Sequence, residues 1–394
     1  MPEREAFLKA AENARERIIG WRRDFHSHPE LAYQEVRTAG IVANVLDSLG
    51  YTVETGIGGT GVVAKIKGVL PGTSRGLRAD MDALPIAEET GLPFRSGNEG
   101  IMHACCHDGH VAMLLGAAEM IAQHKEQLKG EIVLVFQPAE EGYAGAQKMI
   151  DDGLFKKFPV DFLFGHHIMP VILPHNSITT RKGAFTASSD RFHFRIKGYG
   201  GHASMPHLTK DPVPALQSLI GGINSITSRN TDPFDQAVIS IGHIGAGTCY
   251  NVIPDSAFMS GSVRTLSEQS QQLVQKRMTQ LAKGISEAHE VEISMEYKVN
   301  YPTLFNDATL TGRTLELART FWGEEKVIEK QDPFMGSEDF AFYSKSVPCC
   351  FLMIGVEGEF GVHHPKMTFN ESILHKGAAW QAWLALESGE ISLL

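Results

Sequence analysis

Residues 131–142 read EIVLVFQPAEEG. The first six are of strand length and apolar after Glu131, and the run breaks at Pro138 into two adjacent glutamates, Glu140 and Glu141. So short and continuous an apolar run fits a strand buried on both faces, not one alternating between core and solvent. Two carboxylates side by side just past a buried strand repel each other, and a cation or a proton is needed to hold them there. The stretch therefore bears on fold and chemistry together.

Three further runs share its character: RGLRAD (75–80), VDFLFG (160–165) and CCFLMIG (349–355). Helical patterns over 38–49, 111–124, 144–151 and 307–321 lie among them. Buried strands interleaved with helices predict an α/β domain whose sheet is covered on both faces. Ligand sites in such sheets gather where strands end, which is where the polar residues of interest fall. Residues 56–61 spell a formal G-x-G-x-x-G between short strands at 52–55 and 62–66. A dinucleotide fingerprint has to open a helix, and here VVAKIKG follows, so the segment reads as a glycine-rich hairpin.

The stretch 185–298 reads as a different module. RFHFRIKG (191–198) alternates like a half-exposed strand. Asp211 and Pro212 then suit the N-cap and N1 of a helix reaching 228. Strands AVISIGHI and AFMSGSVRT, a helix over 267–288 and a last strand VEISMEYK complete a β-α-β-β-α-β order. The prediction is a mixed-sheet catalytic domain from 1–184 and 299–394, with a ferredoxin-like domain inserted at 185–298. The insert's helices would cover one sheet face and leave an edge free for pairing.

Composition narrows the class. The 394 residues suit two domains, and 43% hydrophobic with 21% charged residues is ordinary for a globular chain. A formal net charge of -10 argues against nonspecific binding to nucleic acid or anionic membrane. No segment approaches the ~18 consecutive apolar residues of a membrane span. The N-terminus reads as a charged amphipathic helix without a signal-peptide core, so a cytoplasmic location is expected. Four of the five cysteines form adjacent pairs, Cys105-Cys106 and Cys349-Cys350, a poor pattern for structural disulfides.

The chemistry concentrates in IMHACCHDGH (101–110). Cys105 and His107 are spaced to project from one tight loop, but a closed structural zinc site would need two more ligands at short spacing. A redox C-x-x-C is absent. Partners lie instead at other strand ends: Glu140-Glu141, His166-His167 in FGHHIMP, and His363-His364 in GVHHP. Sulfur, nitrogen and oxygen donors together suit zinc, manganese, cobalt or nickel.

WRRDFHSHPELAYQE, LRADMDALPI, MHACCHDGH, FQPAEEG, GHHIMP, GGHASMPH, NVIPD, GSEDFAFY and VHHP occur in this order. In that combination, spanning essentially the whole chain, the sequence resembles the bacterial and plant metal-dependent amidohydrolases that include hippurate hydrolase and the auxin-conjugate hydrolases. These belong to the aminoacylase and carboxypeptidase superfamily of two-metal peptidases. The resemblance implies two divalent metal ions, manganese or zinc before cobalt or nickel. It assigns Cys105, His107, Glu141, His167 and His363 as ligands, with Cys105 bridging. Glu140 becomes the general base and then acid, and His166 and His364 are packed or supporting.

Glycine is usual in that family where Cys106 stands, so a Cβ enters the turn here. Asp82, more than Asp80, is expected to orient the site. Ser337, with Glu338 and Asp339 behind it, reads as a helix start. In the insert, the resemblance implies that His202 reaches a partner subunit's site to stabilise the reacting carbonyl oxygen. It also implies that Asn251 and Arg264 hold the substrate carboxylate, which arginine's fork suits. The expected protein is a homodimer joined through the insert, or a tetramer, hydrolysing N-acyl amino acids such as hippurate. A carboxypeptidase or dipeptidase using the same residues, a deacetylase of lysine or diaminopimelate synthesis, and a non-catalytic metal- or peptide-binding protein are the rival readings. A thiol redox protein built on Cys105-Cys106 would leave the other motifs unexplained.

Overall fold

The computed structural model describes residues 4–330 and 332–393. The chain forms two compact units, one from 1–185, 305–332 and 339–394, the other from 186–304 and 333–338.

Among the described residues, the first unit is built on an eight-stranded mixed sheet. Its middle is four parallel strands in the order Lys129–Gln137, Leu70–Asp80, Phe162–Pro170 and Cys349–Val356. The apolar runs of the sequence are these strands, and each is buried where it crosses the core. Gly61–Lys67 and Thr52–Ile57 extend one side antiparallel, joined by the glycine-rich hairpin. Ser177–Thr180 and Val327–Glu329 close the other.

Helices Arg4–Ser27, His107–Gln123 and Ser372–Glu387 pack together over one face of this sheet, and Phe321, Trp380 and Trp383 join the same core. On the other face, Phe340 of the short helix Asp339–Lys345 lies against Phe351. Gly165 lets that happen, since a Cβ there would stand 2.4 Å from Phe351 and 2.8 Å from Phe340.

Three local expectations change. The helix read over 111–124 starts at His107, because its polar first turn is buried and hydrogen-bonded instead of solvated. His166-His167 do not end their strand, which continues to Pro170. Ser337 does not open a helix: a 3-10 turn begins at Asp339, whose side chain is drawn into the core.

The second unit has the expected β-α-β-β-α-β order. Its four antiparallel strands lie in the order Ala237–Ala246, Ser256–Thr265, Ser189–Lys197 and Glu292–Tyr301. Helices Pro212–Arg229 and Glu268–His289 cover one face, burying Phe192, Phe194, Met259 and Val263 against Leu219, Ile223, Val274 and Met278. Both helices are capped from the sequence, Asp211 accepting from the Val213 amide and Ser267 from that of Ser270. The last strand runs past 298, where the sequence placed the boundary, because its pairing with Ser189–Lys197 continues through a register shift to Tyr301, where the alternation no longer marks it. Ala237–Ala246 is an open edge on which Val238 and Ile244 are exposed. No helix among the described residues is long and apolar enough to cross a membrane.

Candidate metal centre

The parallel strands deliver their chemistry at one end of the first unit. Leu70–Asp80 ends at Asp80 and leads to Asp82; both carboxylates are buried. Helix His107–Gln123 begins beside them. Its N-cap, Cys106, has φ 64° and ψ 12°, the left-handed conformation that glycine adopts without cost. The side chain does not crowd the turn, because it points into the core with Sγ 3.8 Å from Met367 Sδ.

All five sequence-predicted ligands converge. Cys105, His107 and His167 form one group of ligand atoms mutually within 4.8 Å, and Cys105, Glu141 and His363 form another. The Cys105 sulfur is common to both. It lies 3.4 Å from His167 Nε2, and His363 Nε2 lies 3.2 Å from Glu141 Oε1. His363 sits on the rim, its side chain half exposed, with its amide anchored to the Ala104 carbonyl at 2.7 Å.

Second hydrogen bonds aim the rings. His107 Nδ1 donates to the Asp82 carbonyl at 2.8 Å and His167 Nδ1 to that of Ile168 at 2.7 Å, which turns each Nε2 toward the cluster. His107 Nε2 is buried without a hydrogen-bond partner. His166 turns the other way and accepts from Trp380 Nε1 at 2.9 Å, while His364 stacks on Phe360.

The electrostatics ask for cations. Burial and the Glu141 and Glu140 carboxylates push the Cys105 thiol well above its ordinary range. Burial opposes charge on His107, but Asp80, Asp82 and Glu141 outweigh it and carry the imidazole up to about 10. His167 goes the other way, pushed well down by burial and by His110. Burial opposes ionisation of Glu141, yet the His363 and His107 rings hold its pKa low. An orphaned imidazole nitrogen, a thiol and a carboxylate beside further buried carboxylates fit divalent ions.

Glu140 is buried beside this group, with Oε1 accepting the Asp339 amide at 3.3 Å. Three buried carboxylates hold the backbone that carries it. Asp82 accepts from the Glu140 and Glu141 amides at 2.9 Å each, Glu35 from Ala139 and Asp339 from Ala146, also at 2.9 Å. Asp82 is thus an orienting group, as expected. Asp80 also orients: it accepts from His110 Nδ1 at 2.6 Å, and His110 Nε2 in turn accepts the Ile168 amide at 2.8 Å.

The sequence gives no role to His110, Glu35, Arg78 or Gln137 and reads Asp339 as an acid in the first turn of a helix started by Ser337. Arg78 and Gln137 both donate to Asp339. Only the i, i+3 spacing of His107 and His110 on a helix could have flagged one of them.

The second unit places His202 in an exposed two-residue strand paired with Val252. Its Nδ1 accepts the Ser204 amide at 3.1 Å, so the neutral ring carries its proton on Nε2. Exposed Asn251 belongs to the same corner, its carbonyl accepting the Ala203 amide at 3.2 Å. Arg264 does not. It lies eight residues beyond Ser256 along its strand, roughly 26 Å away at ~3.3 Å per residue. Burial lowers its pKa against the pull of Asp190, and Nη1 is buried without a hydrogen-bond partner.

The family model for peptidase family M20/M25/M40 matches residues 76–387. Hippurate hydrolase of Campylobacter jejuni is 41% identical over 366 residues, 93% of this chain and 95% of the relative. An N-acetylcysteine deacetylase of Bacillus subtilis is 40% identical over 371 residues, 94% and 96% of the two chains. Among solved structures, a dinuclear metal binding peptidase of the M20 family from Bacillus subtilis superposes with a TM-score of 0.83. It is 36% identical, with 97% of this chain and 98% of that one covered.

Proposed function

Because the chain belongs to peptidase family M20/M25/M40, we propose that the converging cluster holds two divalent metal ions and that Glu140 is the general base beside them. The activity is metal-dependent hydrolysis of the amide bond of N-acyl amino acids, as hippurate hydrolase and N-acetyl amino acid deacetylase relatives indicate. The observation that carries the residue assignment is the sharing of one sulfur, Cys105 Sγ, by two ligand triads.

When bound, the ions polarise the amide carbonyl and bring the pKa of a water toward neutrality. Glu140 takes the water's proton during attack and delivers it to the leaving amine, one carboxylate serving as base and then acid. Its own amide and that of Glu141 are fixed by Asp82, so base and ligand hold their spacing through the reaction. His202 offers its Nε2 proton to the developing oxyanion of a partner subunit. Asn251 travels with it in the same corner, and Arg264, with a free donor edge, takes the substrate carboxylate.

Manganese or zinc suits the mixed donors first, cobalt or nickel next. The open, partly apolar edge Ala237–Ala246 supports a homodimer through the inserted domain. Five free thiols, one of them exposed, support a reducing, cytoplasmic location.

The test is hydrolysis of hippurate, several N-acetyl amino acids and dipeptides by chelated enzyme resupplied with each metal in turn. Turnover that depends on metal and favours an acyl amino acid is the expected result. Preference for dipeptides would replace the reading with a dipeptidase.

A further inference from the structure

Glu35, one of the carboxylates that hold the backbone around Glu140, is fully buried, and both of its oxygens accept hydrogen bonds. Its Oε1 accepts the Ala139 amide at 2.9 Å, and its Oε2 accepts the Thr60 hydroxyl. Burial raises its pKa, so an ionised carboxylate is kept there only by such donors.

The backbone it holds is unusual. Ala139 has φ 56° and ψ 45°, and Ala144 has φ 56° and ψ 48°, both left-handed without being glycine. Such residues persist only where their surroundings over-determine them. Tyr33, from the same segment as Glu35, donates its hydroxyl to the Tyr143 carbonyl at 3.0 Å. One short stretch of chain therefore grips the loop on both sides of Glu140-Glu141. The glycine-rich hairpin brings in Thr60, and its glycines permit the approach. A Cβ on Gly61 would meet Ile57 O at 2.2 Å and Pro138 Cδ at 3.2 Å, and one on Gly58 would meet Met149 at 2.6 Å.

We infer that Glu35 is a positioning residue: by accepting the Ala139 amide it locks the turn that aims the Glu140 carboxylate. The inference rests on Glu140 as general base. Without that acceptor the Ala139 N–H is a buried orphan, and the turn gains a reason to rotate. A rotation there moves the very next side chain.

The test compares Glu35→Leu, which fills the space without an acceptor, with Glu35→Gln, whose carbonyl still accepts from Ala139 while its amide donates to Thr60. Both are made in the full chain and loaded with manganese, with Glu140→Gln alongside. Glu35→Leu is expected to lose kcat on the order of 100-fold, with KM for hippurate and metal content unchanged. Amide exchange should quicken over 138–146 alone, a readout that does not depend on turnover. Glu35→Gln should recover most of kcat. Wild-type kcat in Glu35→Leu, exchange raised evenly along the chain, or no recovery in Glu35→Gln would each overturn the inference. If Glu140→Gln keeps full turnover, the general-base reading falls with it. If Glu140→Gln is dead while Glu35→Leu is normal, the Glu35 inference alone falls.

Discussion

Cys105 sits among carboxylates that hold a proton on its thiol, whereas the ligand role proposed for it calls for a thiolate. His107 has the same conflict, its ring carried up to about 10 by Asp80, Asp82 and Glu141 against the effect of burial. Bound metal would resolve both, replacing protons with a stronger positive charge. Loading the apoprotein at pH 7 should therefore release about two protons per subunit, read by calorimetry in buffers of differing ionisation enthalpy. Release of one would mean that one of the two residues does not ligate, and release of none that neither does. The convergence of the candidate ligands was legible in the sequence because metal-binding side chains are chemically rare and crowded at strand ends here. Glu35, Asp339 and His110 were not, because each acts largely through backbone amides, and no residue pattern advertises which amide a buried carboxylate will meet.

At the scale of elements, the first turn of helix His107–Gln123 is tied to helix Arg4–Ser27 by a buried charge cluster. Asp108 forms an ion pair with Arg22, whose Nε lies 2.8 Å away, and accepts from His26 Nδ1 at 2.8 Å, while His26 Nε2 lies 3.3 Å from Glu88. Burial disfavours charge on His26, but the Asp108 and Glu88 carboxylates win and raise its pKa above 6.5. The raised value fixes the sign: this stabilisation is full below pH 6.5 and is lost as pH rises through the folded-state pKa. The stability difference between wild type and His26→Gln should thus be largest, about 2 kcal/mol for bonds to a charged group, below pH 6.5 and should shrink above it. Unfolding midpoints across pH check this, and a difference that grows with pH would remove His26 as the link. The strands of the first unit were readable from their continuous apolar character. The start of this helix was not, since a sequence of His, Asp, Gly and His looks solvated until its partners are known.

For the whole molecule, the separation within the second unit decides how substrate can be held. His202 and Asn251 share a corner near the start of strand Ser256–Thr265, and Arg264 lies toward its other end, eight residues beyond Ser256. If all three hold one small substrate, as proposed, that separation calls for residues from two subunits. Mixing Glu140→Gln and His202→Ala subunits should then restore turnover at about a quarter of wild-type sites by random pairing in a two-fold dimer. No recovery after demonstrated subunit exchange would exclude action across subunits. The two-unit architecture was legible because a β-α-β-β-α-β pattern interrupts the buried-strand pattern cleanly.

The proposed division of labour, with Glu140 moving the proton and other residues holding the metal, is tested by hippurate hydrolysis by Glu140→Gln measured alongside its metal content. Two ions per subunit, as in wild type, with turnover lost, is the expected result. Wild-type turnover, or loss of metal along with activity, would contradict it.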